Sequence, residues 1–447
     1  MVEPVLTGPL EFVTVPGSIP VPLFVIAYDK DGVCTSPETA ARAVEAARAG
    51  TDVILLSHGW NNDWDTMLAR YRGWIEGLLK VRAAGTVEQF LPVFIGVYWP
   101  SIIAPESEGW APNLAGPDTG NSWQDEVVTF LTAGLDAEDA AEVGRALRQP
   151  TLDPLESTKV AETVIGAFSG PDSDVAGAAI PVPATELRRK WLQAQDVEPA
   201  APDGPVLIDD GAPGNDTSGA APAVTAGLFD RLRSAVLKPL WLLRLGSVLL
   251  MKDRSGRVGG YGVAELLETL LDTVPATTRV HLVGHSFGSK VVLSALTRNN
   301  SPRPVDSVLL FEPAMSARSF AADADDHGTP GGYRPALAKS RSGVVLTYSA
   351  HDFPLTKLFH LAARRASDLG DVVIAGAAES AYAALGGFGP KRVDEAVDRT
   401  DPVYPPEHYR PGLNGRVLAI RGDDIIPGHG DVVSDATAWI LADQLRS

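Results

Sequence analysis

The chain has 447 residues, 45% of them hydrophobic and 21% charged, with a formal net charge of −18. Those values fit a globular protein with ample material for a core, and the acidic balance argues against nucleic acid as a partner and against simple attraction to anionic membranes. Cys34 is the single cysteine, which excludes an intramolecular disulfide framework and a cysteine-based zinc site.

The first ten residues lack the basic start and apolar core of a signal peptide, so a cytoplasmic location is expected. Residues 10–15 and 21–28 read as strands, with turn chemistry at Pro16-Gly17-Ser18 and Asp29-Lys30-Asp31-Gly32. Ser36-Pro37-Glu38 opens an Ala-rich helix that Gly50 ends. The run 51–56 is short and apolar, the pattern of a strand covered on both faces. It delivers Ser57-His58-Gly59-Trp60, and a helix with Met67, Tyr71, Trp74 and Leu78 at its apolar positions follows. A further buried run ends at Trp99-Pro100-Ser101. Strand and helix alternate throughout this half, which calls for a parallel sheet with helices on both faces.

The alternation then breaks. Residues 102–225 contain no strand pattern, and helical pieces are expected at 122–134, 137–148, 155–168 and 184–196. The stretch 196–224 is rich in Pro, Ala, Gly and Asp and reads as a flexible loop. Residues 226–252 form an apolar helix candidate that Lys238, Pro239 and Arg244 interrupt, so it is not a transmembrane span. A core or lid helix over the pocket is expected there, with peripheral membrane contact as its rival. The domain reading is therefore a core of 1–101 and 253–447 carrying a cap-like insertion, 102–252.

Val263, Leu266, Leu267, Leu270, Leu271 and Val274 give one more helix before the strand that leads into Gly284-His285-Ser286-Phe287-Gly288. Strand, sharp turn and helix make this a G-x-S-x-G nucleophile elbow. A serine held on such a turn needs neighbours without Cβ atoms, and the turn aims the Phe287 N–H at an oxyanion. Strands at 306–311, 344–349 and 417–421 and a helix from about 432 to 445 complete the chain.

A serine hydroxyl is a weak nucleophile near pH 7 and needs a base, which in turn needs an orienting carboxylate. His58 precedes the nucleophile, His285 sits inside the elbow, and His351, His360 and His408 fall before the last strand. Only His429, in Gly428-His429-Gly430-Asp431, lies between the last strand and the last helix. For the acid, Asp352 follows its strand by a short turn, and Glu312, directly after the preceding strand, is the rival. The fixed order serine, acid, histidine favours Asp352. The second oxyanion donor should come from the loop after an early strand, where the Trp60 N–H fits.

The motifs at 57–60 (SHGW), 98–101 (YWPS), 284–289 (GHSFGS), 348–360 (YSAHDFPLTKLFH) and 428–431 (GHGD) resemble the α/β-hydrolase superfamily, in its bacterial serine esterase and lipase-like branch of unassigned substrate. The resemblance covers 51–101 and 259–447. It implies an α/β-hydrolase fold with a mostly parallel eight-stranded sheet flanked by helices, and neither metal nor organic cofactor. The expected activity is hydrolysis of a carboxylic ester, lipid or other, through an acyl-enzyme on Ser286. Acyl transfer by the same triad and a non-catalytic binding scaffold stand as alternatives.

Overall fold

The computed structural model describes residues 8–83, 90–101, 123–168, 183–196, 235–324, 327–359, 383–393, 397–409 and 416–446. Its strands are β1 (Glu11–Val13), β2 (Val21–Ala27), β3 (Asp52–Ser57), β4 (Pro92–Tyr98), β5 (Arg279–His285), β6 (Ser307–Phe311), β7 (Val344–Tyr348), β8 (Val397–Thr400) and β9 (Val417–Arg421). They make one nine-stranded sheet in the order β1-β2-β4-β3-β5-β6-β7-β9-β8. Only β1 pairs antiparallel, and all other pairings are parallel. The eight strands expected from sequence are all present. The ninth, β8, sits at an edge and reads Val-Asp-Arg-Thr, so no apolar run announces it.

Strands β3 and β6 are buried at every residue, as parallel strands between two helical layers must be. Successive side chains alternate between two cores. Val53 and Leu55 join the helices Pro37–Ala47, Pro239–Val258, Ala264–Thr273 and Phe287–Arg298, whereas Ile54 and Leu56 join Trp64–Ala83 and Asp435–Gln444. A buried polar network stitches the sheet at the start of β3, β5 and β6. Asp52 Oδ1 accepts from Arg279 at 2.8 Å and from His281 Nε2 at 3.1 Å, while His281 Nδ1 meets the Ser307 hydroxyl at 2.8 Å. Register then levels the opposite ends: Ser57 lies beside Gly284, His285 beside Phe311, and Tyr348 beside Arg421. The loops that leave β3, β5, β6, β7 and β9 therefore crowd one edge, where open parallel sheets place their sites.

The insertion supplies helices Trp123–Leu131, Ala137–Ala146, Pro154–Phe168 and Ala184–Asp196, close to the four expected. The apolar helix differs from its expectation. It starts at Pro239, a residue suited to a first helical turn, and runs to Val258 across the boundary placed at 252/253. Sixteen of its twenty residues are buried, Arg244, Lys252 and Arg254 among them. Helices Trp123–Leu131, Pro154–Phe168, Ala184–Asp196 and Phe287–Arg298 pack around it, so it presents no broad apolar face to lipid. Arg254 donates to the Pro100 carbonyl at 2.9 Å and pairs with Glu126, tying the insertion to the segment after β4. Residues 197–234 lie outside the described residues, including the stretch expected to be flexible. Among the described residues no helix is long and apolar enough to cross a membrane.

One side chain sets the position of the loop after β3. Tyr71 is fully buried, and its hydroxyl donates to the Val97 carbonyl at 2.7 Å and accepts from the His58 N–H at 2.8 Å. That bolts the helix Trp64–Ala83 to the ends of β3 and β4. Tyr71→Phe leaves the buried His58 N–H without its acceptor, which costs about 1–3 kcal/mol. The expected result in urea unfolding is a lower midpoint with an unchanged slope.

Candidate active site

Strand β5 ends at His285 and the next helix begins at Phe287, so Ser286 alone makes the turn, at φ 55° and ψ −128°. A side chain at positive φ is strained, and it persists only where its surroundings over-determine it. Here they do. The Ser286 N–H donates to the Phe311 carbonyl at 3.0 Å, and the Ser286 carbonyl accepts from Ala314 at 3.2 Å and from Ser289 at 3.1 Å. The glycines are sterically required. A Cβ on Gly284 would lie 2.5 Å from Ser289 Cα, and one on Gly288 would lie 2.3 Å from the His58 and Ser57 carbonyl oxygens.

Ser286, His429 and Asp352, far apart in the chain, come together. His429 Nε2 lies 2.8 Å from Ser286 Oγ and its Nδ1 lies 2.6 Å from Asp352 Oδ2. Asp352 is fully buried, and its Oδ1 accepts from the Leu355 N–H at 2.9 Å. Nδ1 can thus donate to a carboxylate while Nε2 faces a hydroxyl, so the imidazole can take the serine proton and Asp352 can hold the resulting cation.

Two further residues steady this arrangement, His285 inside the elbow and Arg70, which the sequence reading missed. His285 Nε2–H donates to the His429 carbonyl at 2.7 Å, which leaves Nδ1 to accept from the Arg70 guanidinium. The loop carrying the base is thereby pinned from inside the elbow. Burial, then the charges of Arg70 and His429, hold the His285 pKa well below the usual imidazole range, so it remains neutral. Arg70 lies on a helix 215 positions away from its partner, and nothing in its local sequence marks it. Of the other described histidines, His281 belongs to the sheet network, and His58 and His408 have partners of their own. His58 donates from Nδ1 to the Gly59 carbonyl at 2.9 Å, accepts from the Trp99 N–H at 3.3 Å and stacks on the Trp99 ring. Burial pushes its pKa down to about 3, so it is a neutral scaffold. His408 pairs with Asp443 at 2.6 Å, and His360 lies outside the described residues.

Trp60 and Phe287 also converge. A Cβ on Gly59 would sit 2.6 Å from the Ser286 Cβ, and the Trp60 and Phe287 rings meet edge to face at 6.3 Å. Phe287 opens its helix, where N–H groups have no acceptor within the helix. Asn62 Nδ2 braces the Trp60 carbonyl at 2.7 Å, and the Asn61 and Asn62 N–H groups bond Ser101. Asn61 is left-handed at φ 56°, and both polar atoms of its buried side chain lack hydrogen-bond partners. The sequence reading passed over Asn61, although Asn is the residue type that best tolerates that conformation.

Glu312, the rival acid, is also in the neighbourhood. It is fully buried, and its Oε1 accepts from the Thr347 hydroxyl at 2.9 Å. Burial first, and the Asp352 charge second, raise its pKa well above the ordinary carboxyl value, which favours the neutral acid. His429 Nδ1 is engaged by Asp352. No group of three or more metal-ligating side chains occurs among the described residues. A separate surface cleft between Asp31–Cys34 and Tyr261–Asp272 shares no residue with this constellation.

The strain at Ser286 can be measured directly. Ala keeps the side chain at positive φ, whereas Gly adopts that conformation freely. Ser286→Gly should therefore be more stable than Ser286→Ala by about 1 kcal/mol, read from denaturant midpoints. Equal midpoints would mean that the turn stores no strain.

No protein-family model, no curated protein and no solved structure matches this chain, so the function must be read from these residues and their geometry.

Proposed function

We propose that this chain is a serine hydrolase of the α/β-hydrolase type, cleaving a carboxylic ester through an acyl-enzyme on Ser286. The observation that carries the reading is the continuous line from Ser286 Oγ through His429 Nε2 at 2.8 Å, and from Nδ1 to Asp352 at 2.6 Å, on a strained strand-to-helix turn. His429 takes the hydroxyl proton as Ser286 Oγ attacks the ester carbonyl. The tetrahedral oxyanion is received by the Phe287 and Trp60 N–H groups and favoured by the helix N-terminus. His429 then gives the proton to the leaving alkoxide, the alcohol departs, and the acyl group stays on Ser286. Water repeats the sequence and releases the acid. Asp352 remains a carboxylate throughout and stabilises the imidazolium.

The surroundings favour an apolar acyl group. Ser286 is only 2% exposed, and the Trp60, Phe287 and Phe359 rings stand beside one another at its flank. A carbonyl reacting there is shielded from water, which strengthens each hydrogen bond to the oxyanion.

A fluorophosphonate probe tests the class, because it labels only an activated serine. The wild-type chain should be labelled at Ser286 and should hydrolyse p-nitrophenyl esters, and Ser286→Ala should lose both while remaining folded. Labelling at a different serine, or none, would overturn the reading and favour a binding scaffold. The acid is tested separately. Asp352→Asn should lower kcat by orders of magnitude, toward the roughly 10⁴-fold loss known for such a change in another triad, with KM nearly unchanged. Glu312→Gln should cost far less, and the reverse ranking would reassign the acid.

A further inference from the structure

The triad as described uses one of two buried carboxyl groups. Glu312 follows β6 directly, has a left-handed backbone at φ 43°, and is fully buried. Residues on either side hold the candidate nucleophile: Phe311, its neighbour, accepts from the Ser286 N–H, and Ala314, two positions on, donates to the Ser286 carbonyl. The Glu312 N–H donates to Thr347 Oγ1 at 3.1 Å, and Thr347 Oγ1 donates back to Oε1 at 2.9 Å. An oxygen that accepts from a hydroxyl is the carbonyl oxygen of an acid, so an acid proton on this group belongs on Oε2. Oε2 is buried with no donor bonded to it, and the Asp352 side chain is a neighbour of the Glu312 carboxyl.

Two adjacent buried carboxyls cannot both ionise, and the donors around them decide which one does. Asp352 receives the Leu355 N–H on Oδ1 and the His429 Nδ1–H on Oδ2. Glu312 receives the Thr347 hydroxyl and a weaker contact from the Ser349 backbone, neither of which can carry a positive charge as His429 can. The charge therefore rests on Asp352, whose oxygens each keep a lone pair for a further donor. The other neighbours of Glu312 are Thr347 on β7 and Gly386, whose own neighbour is Leu355, and none of them is charged.

We infer that Glu312 is a positioning residue for the triad acid: its carboxyl group, kept neutral, donates its proton in a hydrogen bond to the Asp352 carboxylate and holds that carboxylate in line with His429. The inference rests on the triad reading for its catalytic meaning. Because Phe311 and Ala314 grip Ser286, the same short segment fixes the nucleophile by its backbone and the acid by its side chain.

Isotope-edited infrared spectroscopy of the full chain tests the hydrogen bond without any substrate. At pH 7 the wild-type protein should show the carbonyl stretch of a protonated, hydrogen-bonded carboxylic acid, and Glu312→Gln should remove it. In Asp352→Asn the band should persist and move to higher frequency, since a neutral amide oxygen is the weaker acceptor. Absence of the band at pH 7, or a band indifferent to Asp352→Asn, would overturn the inference. Kinetics supplies the second readout. Glu312→Leu should lower kcat about ten- to a hundredfold with little change in KM, the scale of one hydrogen bond to a charged group. Glu312→Gln, which keeps a donor, should recover most of that loss, and equal losses in Leu and Gln would count against the inference. Fluorophosphonate labelling of Ser286 separates failure of this inference from failure of the hydrolase reading.

Stability gives a third measure. The carboxyl ionises near 4.5 in an unfolded chain and well above that in the fold, so the native state holds the extra proton between those values. Its contribution is complete below about pH 4.5 and is lost as pH rises toward the folded value. Glu312→Gln should therefore gain stability relative to wild type as pH rises above about 4.5. Parallel pH–stability curves for the two proteins would show that Glu312 is ionised in the fold.

Discussion

The arrangement depends on one strained residue. Ser286 holds a backbone conformation that a side chain resists, and it does so because β6 grips it from one side and the loop after β3 closes on it from the other. Each contact requires strand ends at a common level. The register of β3, β5 and β6 provides that level, and the buried network of Asp52, Arg279, His281 and Ser307 sets it from the far end of the sheet. Close packing on both faces makes the sheet stiff enough to carry the strain.

Electrostatics at the site follows from the same burial. Several titratable side chains lie around Ser286, and burial disfavours charge on most of them. His58 and His285 remain neutral, and their ring nitrogens are committed to backbone groups, with Arg70 on His285. Glu312 remains neutral beside a hydroxyl. Asp352 has the donors that an anion needs, and they point it at His429. A protonated His58 or His285 would set a cation against Arg70 and would have no acceptor for its second N–H. The neutral histidines are thus a structural condition for a single Asp352–His429 pair to dominate the local field.

Features governed by local sterics could be read from the chain. Gly284 and Gly288 around Ser286 announce a turn, because no other residue fits 2.3–2.5 Å from neighbouring backbone atoms. The short apolar runs announced eight strands, and chain order singled out Asp352 and His429. Features set by distant contacts could not be read. Arg70 resembles any helix-surface arginine until His285 is placed beside it. Strand β8 has two charges in four residues and is specified by its neighbour β9 rather than by its own pattern. Among the described residues the apolar helix starts at Pro239, with 226–234 lying outside them; four helices decide what it buries, and its run of leucines cannot mark the first turn. Glu312 was read as a competitor for Asp352. Its neutrality depends on burial and on a carboxylate 40 positions later, which a strand-end motif does not encode.

The residues from Phe311 to Ala314 join these two levels of organisation. Their backbone takes the hydrogen bonds that keep Ser286 strained, and the side chain between them reaches toward the acid. A shift of β6 against β7 would move the nucleophile and the carboxylate together, so their spacing would survive a small displacement of the sheet. His429 stands on the longer lever, a loop after β9 fixed by His285 from β5 and by Asp352 from the loop after β7. His429 is therefore referenced to the strand that ends beside Ser286 and to the loop that carries Asp352. With all three side chains tied to β5, β6 and β7, the alignment of Ser286, His429 and Asp352 is a property of the sheet rather than of the loops that display them.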